Sequence, residues 1–318
     1  PELTHKIYVV GMHGPAGYQP FSVPDLEDAA RKAGAYWVEE LRGAIASFEL
    51  AGVQYVLSGQ PCTAINDVDQ VPTQEWDAAA AKFPQVDFES GQNHLVVVAP
   101  PICAREGSSV ATQGEGIGSS GRALVGGVDV HTMTQALGSN ISLGKTVHGF
   151  VRDGVLEERW YLGMFGPQSY SFDEAPPGAL YVGLQDALGA LPAQQVEHVG
   201  ATKTVSLTPM TQQNGVRGAT FLDPVSGERV WVEYRDGRGR DAANQYATGS
   251  ALVNLDETIL YPGVSNCEKT HGKGAVECST KHVFAPGVRV YHVGADNDVT
   301  NIGLPRGFAS KATLSSGD

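Results

Sequence analysis

The chain has 318 residues, enough for two domains of ordinary size, and its 42% hydrophobic and 18% charged residues are a globular balance, not a disordered one. Its net charge of −13 repels phosphate backbones, which sets nucleic acid aside as a partner. No apolar run reaches the roughly eighteen residues that would span a membrane.

In chain order, residues 6–12 (KIYVVGM) read as a first buried strand. PELTHKIYVV leads straight into it without the charged-then-apolar layout of a signal peptide, so an exported protein would already have lost its targeting segment. Residues 22–42 follow as a helix: Ser22 and Asp25 have the spacing of a capping box, and Pro24 suits a first turn. Leu26, Ala29, Ala30, Ala33, Trp37 and Leu41 recur at helical spacing. ASFEL and VQYVL, within 44–58, read as two short strands. A second helix is predicted over 73–83, capped by Thr73, with Trp76, Ala79, Ala80 and Phe83 on its apolar stripe. HLVVVAP at 94–100 is a continuous apolar run, the pattern of a central strand covered on both faces. GEGIGSSG (114–121) lacks the GK[ST] of a phosphate-binding loop and reads as an ordinary loop or edge strand, and another helix starts near 129.

This order indicates an α/β domain over 1–198. Beyond it, short alternating runs such as GATFLD, RVWVEYR and GVRVYHV, separated by Gly, Pro and Asn, predict an antiparallel β-sandwich over 199–318. The closing ATLSSGD reads as a strand entering a turn, which implies a natural chain continuing past 318.

The informative segment is 129–145, DVHTMTQALGSNISLGK. Aligned with HExxHxxGxxH, Gln135 stands at the first metal ligand, Ala136 at the general base, Ser139 at the second ligand, Ser142 at the turn glycine and Lys145 at the third ligand. Leu137, Gly138, Asn140, Leu143 and Gly144 fit a typical member, HELGHNxxLGH. In this the chain resembles the metzincin zinc peptidases, among them the gametolysin-like and related secreted bacterial groups that carry a β-sandwich after the catalytic domain. Met164 in WYLGMFG falls where that family has its Met-turn, and RVWVEYR resembles a strand of the following sandwich. The resemblance implies a zincin-like α/β domain with a mixed sheet, two helices packed on it and a vestigial active-site helix. It also implies no catalysis and no bound zinc. Gln and Ser are poor neutral ligands, Lys145 would put a cation where the ion belongs, and no base replaces Ala136. The expected function is that of an inactive homologue at the cell surface or outside the cell, binding a protein or cell-surface partner through the former substrate cleft or the sandwich.

Two alternatives stay open at this stage. One is an active secreted zinc peptidase with displaced ligands, for which His131 and His148 are the nearby candidates. The other is a carbohydrate-binding surface protein using Trp231 and Tyr234 as stacking platforms. Asp296, Asn297 and Asp298 could bind a weak structural calcium or form a plain solvated turn. The four cysteines, with no CxxC pair, suit an exported chain with sequential disulfides Cys62–Cys103 and Cys267–Cys278, or four unrelated buried thiols.

Overall fold

The computed structural model describes residues 2–14, 20–57, 71–104, 107–144, 146–152, 155–160, 166–169, 176–244, 252–255, 267–269, 276–279 and 287–301. The chain is a mixed α/β protein with two mixed sheets and few helices, and it forms two compact units. The first holds residues 1–144 and 184–191, the second 145–183 and 192–318.

The first unit is built on β1 (Leu3–His13), β2 (Ile45–Leu57), β3 (Asn93–Ala99), β4 (Ser109–Ala111) and β5 (Gly121–Gly126), in the order β2-β1-β3-β5-β4. All pairs are parallel except β4 against β5, which is antiparallel. Three helices connect and flank the strands: α1 (Val23–Glu40), α2 (Thr73–Ala80) and α3 (Val130–Asn140). Every residue of β3 from His94 to Ala99 is buried, as its unbroken apolar run requires of a strand covered on both faces. Leu95, Val97 and Leu124 join Val10, Trp76, Phe83 and Phe88 in the cluster on the α2 side. On the α1 and α3 side, Trp37 of α1 donates from its indole N–H to the Thr134 carbonyl of α3 at 3.1 Å.

Ser22 caps α1 with both halves of the capping box, Asp25 N–H donating to Ser22 Oγ and Ser22 N–H to Asp25 Oδ2. The two runs expected within 44–58 are instead one continuous β2, paired along the whole of β1. A shift in its register, not a turn, absorbs Ala51 between them, and Gly52 pairs with Tyr8. In α2 the N-cap position belongs to Pro72 with no side-chain bond, and Thr73 lies inside the first turn.

The second unit contains β6 (Thr146–Arg152), β7 (Val155–Trp160), β8 (Val196–His198), β9 (Gly218–Leu222), β10 (Arg229–Arg235), β14 (Gly287–Val293) and β15 (Val299–Asn301) in one sheet. Its order is β7-β6-β15-β14-β10-β9-β8. A separate antiparallel sheet joins β11 (Leu252–Leu255), β13 (Val276–Ser279) and β12 (Cys267–Lys269) in that order. The larger sheet is mixed, not wholly antiparallel as expected: β15 runs parallel to β6, and β8 parallel to β9. Turn residues announce local hairpins such as β9–β10 and β14–β15, but a parallel pair is closed by a long crossover that no local turn signals. Because β6 and β7 join this sheet, the first compact unit gives out after 144, well before the division at 198/199 drawn from the change in sequence texture. The chain passes between units again within α4 (Val182–Ala187). No helix among the described residues is long and apolar enough to cross a membrane.

Candidate functional site

Helix α3 starts at Asp129, whose carboxylate accepts from the backbone N–H groups of His131 and Thr132, at 3.3 and 2.8 Å. Every residue from His131 to Gly138 is buried, so this is a core helix and not a surface amphipath. It ends in a complete Schellman turn: Leu143 N–H donates to Gly138 O at 2.9 Å and Ser142 N–H to Ser139 O at 3.1 Å. Ser142 holds the left-handed position that the motif requires, with φ +80°. This is where the HExxHxxGxxH template carries its glycine, and a side chain there costs about 1 kcal/mol or more. Ser142 therefore occupies a backbone position that glycine would fill more easily. Ser142→Gly is expected to stabilise the protein by about 1 kcal/mol and raise Tm by about 2–4 °C. Thermal unfolding checks this, and an unchanged or lower Tm would count against strain at the turn.

Gln135 and Ser139, four residues apart, share one helical face. Gln135 Oε1 accepts from Ser109 Oγ of β4 at 3.0 Å, and Ser139 Oγ reaches back to Gln135 O at 3.5 Å. Ala136 is fully buried, at 0% exposure. A carboxamide already engaged by a serine, a hydroxyl turned to its own helix and a methyl group in the base position do not fit a zinc centre. Lys145 and Met164 lie outside the described residues. His131 is buried in the first turn of α3, whereas His148 lies on β6, in the other compact unit, at the register positions of Asn301 and Arg159.

Behind the last turn of α3 lies a polar network that the sequence reading missed. Asn140, fully buried, donates from Nδ2 to the Thr112 and Arg122 carbonyls at 2.9 and 3.3 Å. This fixes Oδ1 as its acceptor, and His94 Nδ1 lies 3.3 Å from it. His94 Nδ1 therefore carries the proton, its Nε2 is an acceptor, and His5 Nδ1–H donates to that Nε2 at 2.8 Å. The His5 ring stacks on Phe48 with centroids 4.5 Å apart. Burial pushes His5 down to about 4, and burial together with the charge of His5 pushes His94 down to about 3. The loop from 112 to 121 seats directly on this end of the helix: Gly114 N–H donates to Ser139 O at 2.9 Å, and a Cβ on Gly114 would stand 1.9 Å from Asn140 O.

In the second unit, β10 turns Glu233 and Arg235 inward. Arg235 is fully buried, with Nη1 on both oxygens of Asp241 at 2.8 and 3.0 Å and Nε on Glu233 at 2.7 Å. Its remaining nitrogen donates to Ala179 O at 3.1 Å, and its guanidinium lies over the Tyr181 ring. Glu233 Oε2 accepts from Tyr291 Oη at 2.7 Å and from Val182 N–H at 2.9 Å. Asp241 accepts from Ala179 N–H at 3.0 Å. Burial alone would lower the pKa of Arg235, but Asp241 and Glu233 outweigh it and hold the guanidinium more firmly charged than usual. Burial and the charge of Arg235 push Arg289, opposite Glu233 in the register, down to about 9. The network pins segment 179–182 to the sheet and is structural in character.

Trp231 shares the inward face with Glu233 and Arg235 and is 2% exposed, which removes it as a carbohydrate-stacking platform; Tyr234 is half-buried. Asp296, Asn297 and Asp298 form the turn between β14 and β15, closed by Gly294 N–H on Asp298 O at 2.8 Å, with Asn297 at φ +54°. Cys103 is fully buried beyond β3 and carries no free thiol, while Cys62 lies outside the described residues. Cys267 and Cys278 stand directly opposite one another in the antiparallel register of β12 and β13. Compared with known proteins, the chain matches no protein-family model and no curated protein.

Proposed function

We propose that this chain is a catalytically inactive relative of the metzincin peptidases that acts outside the cell or at its surface as a binding or structural protein. The observation that carries the reading is the left-handed turn at Ser142, seven residues after Gln135, where the peptidase motif needs its glycine. A helix that closes in a strained turn at that position has kept the backbone of the motif while its ligand positions became Gln, Ser and Lys. The mixed sheet, with α1 and α3 linked through Trp37 and Thr134, supports this reading. In the same reading the chain carries a former catalytic domain, with the first compact unit as its core, followed by a sandwich. Its cysteines pair in sequence order, supported by the bound state of Cys103 and by the facing positions of Cys267 and Cys278. The partner is a protein or cell-surface component held by the old cleft or by the second unit.

The test is elemental analysis of the purified chain after dialysis, paired with a peptidase assay. No stoichiometric zinc and no cleavage are expected. About one retained zinc per chain with cleavage of peptides would replace the proposal with an active peptidase using displaced ligands.

A further inference from the structure

We propose that His5, His94 and Asn140 form an acid-sensitive latch that holds the last turn of α3 against the loop following β4 and releases both as the histidine pair takes up protons. The chain of donors runs in one direction, from His5 Nδ1 to His94 Nε2 and from His94 Nδ1 to Asn140 Oδ1. One added proton makes the pair a buried cation, and the rings can share it only if His5 changes tautomer. A second proton sets N–H against N–H across the 2.8 Å contact and places two like charges side by side. Among the described residues, no charged group faces the pair to offset either step. The neighbour of His5 on β2 is the uncharged Phe48 ring, and α3 carries no Asp, Glu, Lys or Arg, with His131 at its far end. On β5 the residue beside His94 is Gly121, while Arg122 is paired with Asp77 and Glu89. Lys6 on β1 and Glu49 on β2 are exposed. The charged residues of α1 lie outside its buried face, with Glu27–Arg31 and Asp28–Lys32 paired along its exposed side.

The part released is defined by what Asn140 holds. Its amide carries the backbone of Thr112 and Arg122, and Gly114 is bonded to Ser139. Both histidines titrate below the ordinary imidazole value of 6.5 in the closed form, so the open form binds more protons between about pH 6.5 and 4. Opening is therefore favoured as pH falls through that window, up to tenfold per pH unit for each ring, and no longer depends on the pair's protonation above it.

Hydrogen exchange by mass spectrometry on the full chain at pH 7 and pH 5, corrected for intrinsic exchange rates, tests the latch. Protection of amides in 112–122 and 138–143 should fall at least tenfold more than protection in α1. His94→Gln offers a donor to Asn140 and an acceptor to His5 without taking up a proton, so it should shrink that difference at least threefold. Equal protection at the two pH values, or a loss shared uniformly with α1, overturns the latch. A His94→Gln protein that folds and shows the undiminished difference overturns it as well. If that variant does not fold, the wild-type comparison decides alone.

Discussion

Arg235→Met is expected to destabilise the second unit by about 3–5 kcal/mol, the largest loss of any single replacement considered for this chain. The guanidinium supplies every strong partner that Glu233 and Asp241 have on β10 itself, and all three groups are sealed from water. Removing the cation leaves two carboxylates buried together, held by Tyr291, two backbone N–H groups and the weakened charge of Arg289. Methionine fills much of the vacated volume, so the loss reports charge and not a cavity. Arg235→Lys keeps the charge but loses the two-pronged contact with Asp241 and the bond to Ala179, and should fall between parent and Met variant. Urea unfolding followed by tryptophan fluorescence, with Trp231 in the same strand, measures both. A loss below about 1 kcal/mol for the Met variant would mean that the network contributes little. For a protein whose net stability is about 5–15 kcal/mol, the expected loss is a large fraction of the whole.

Asn140→Ala is expected to cost about 2–4 kcal/mol in the first unit. It orphans the buried His94 Nδ1–H and the half-buried Thr112 carbonyl, at up to about 1–3 kcal/mol each. Arg122 O is spared because Thr112 N–H also donates to it, at 2.9 Å. Asn140→Asp gives a different signature. A carboxylate accepts from His94 but offers nothing to the Thr112 and Arg122 carbonyls, so it repels them at neutral pH and recovers part of the loss on protonation. Unfolding free energies of the two variants at pH 7 and pH 5 separate the contributions, and an Ala variant within about 0.5 kcal/mol of the parent would show that the site relaxes around the gap.

Much of the first unit was legible because its local signals agree. Ser22, Asp25 and Pro24 announce α1 and form the cap they advertise, and the apolar run from Leu95 to Ala99 becomes the doubly covered strand it resembles. The expected α/β class stands in its coarse form, a mixed protein with two mixed sheets. β10 concealed its buried charges for a physical reason. In RVWVEYR, Glu233 and Arg235 are buried beside Trp231 because Asp241, Tyr291 and the backbone of 179–182 satisfy their charges. Those partners lie far away in sequence, so no local pattern reveals them. The His5–His94 pair was hidden in the same way: each histidine sits singly in a strand, and only the parallel register of β1 with β3 joins them. In the candidate site, the ligand positions were readable as residue types, while the strain at Ser142 and the grip of Ser109 on Gln135 needed three dimensions.

In the proposed function, Gln135, Ser139 and Lys145 stand where three zinc ligands once converged. Gln135→His, Ser139→His and Lys145→His, introduced together, test it most directly by zinc titration calorimetry. Ala136 is left unchanged, because a glutamate there would give zinc no bond and the position is fully buried. Three imidazoles on this helix and turn should bind one zinc per chain tightly enough to survive dialysis, while the parent, and a variant carrying only the first two changes, should not. A triple variant that folds as the parent does, judged by circular dichroism, and yet binds zinc no better would show that the three positions do not converge and would contradict the account.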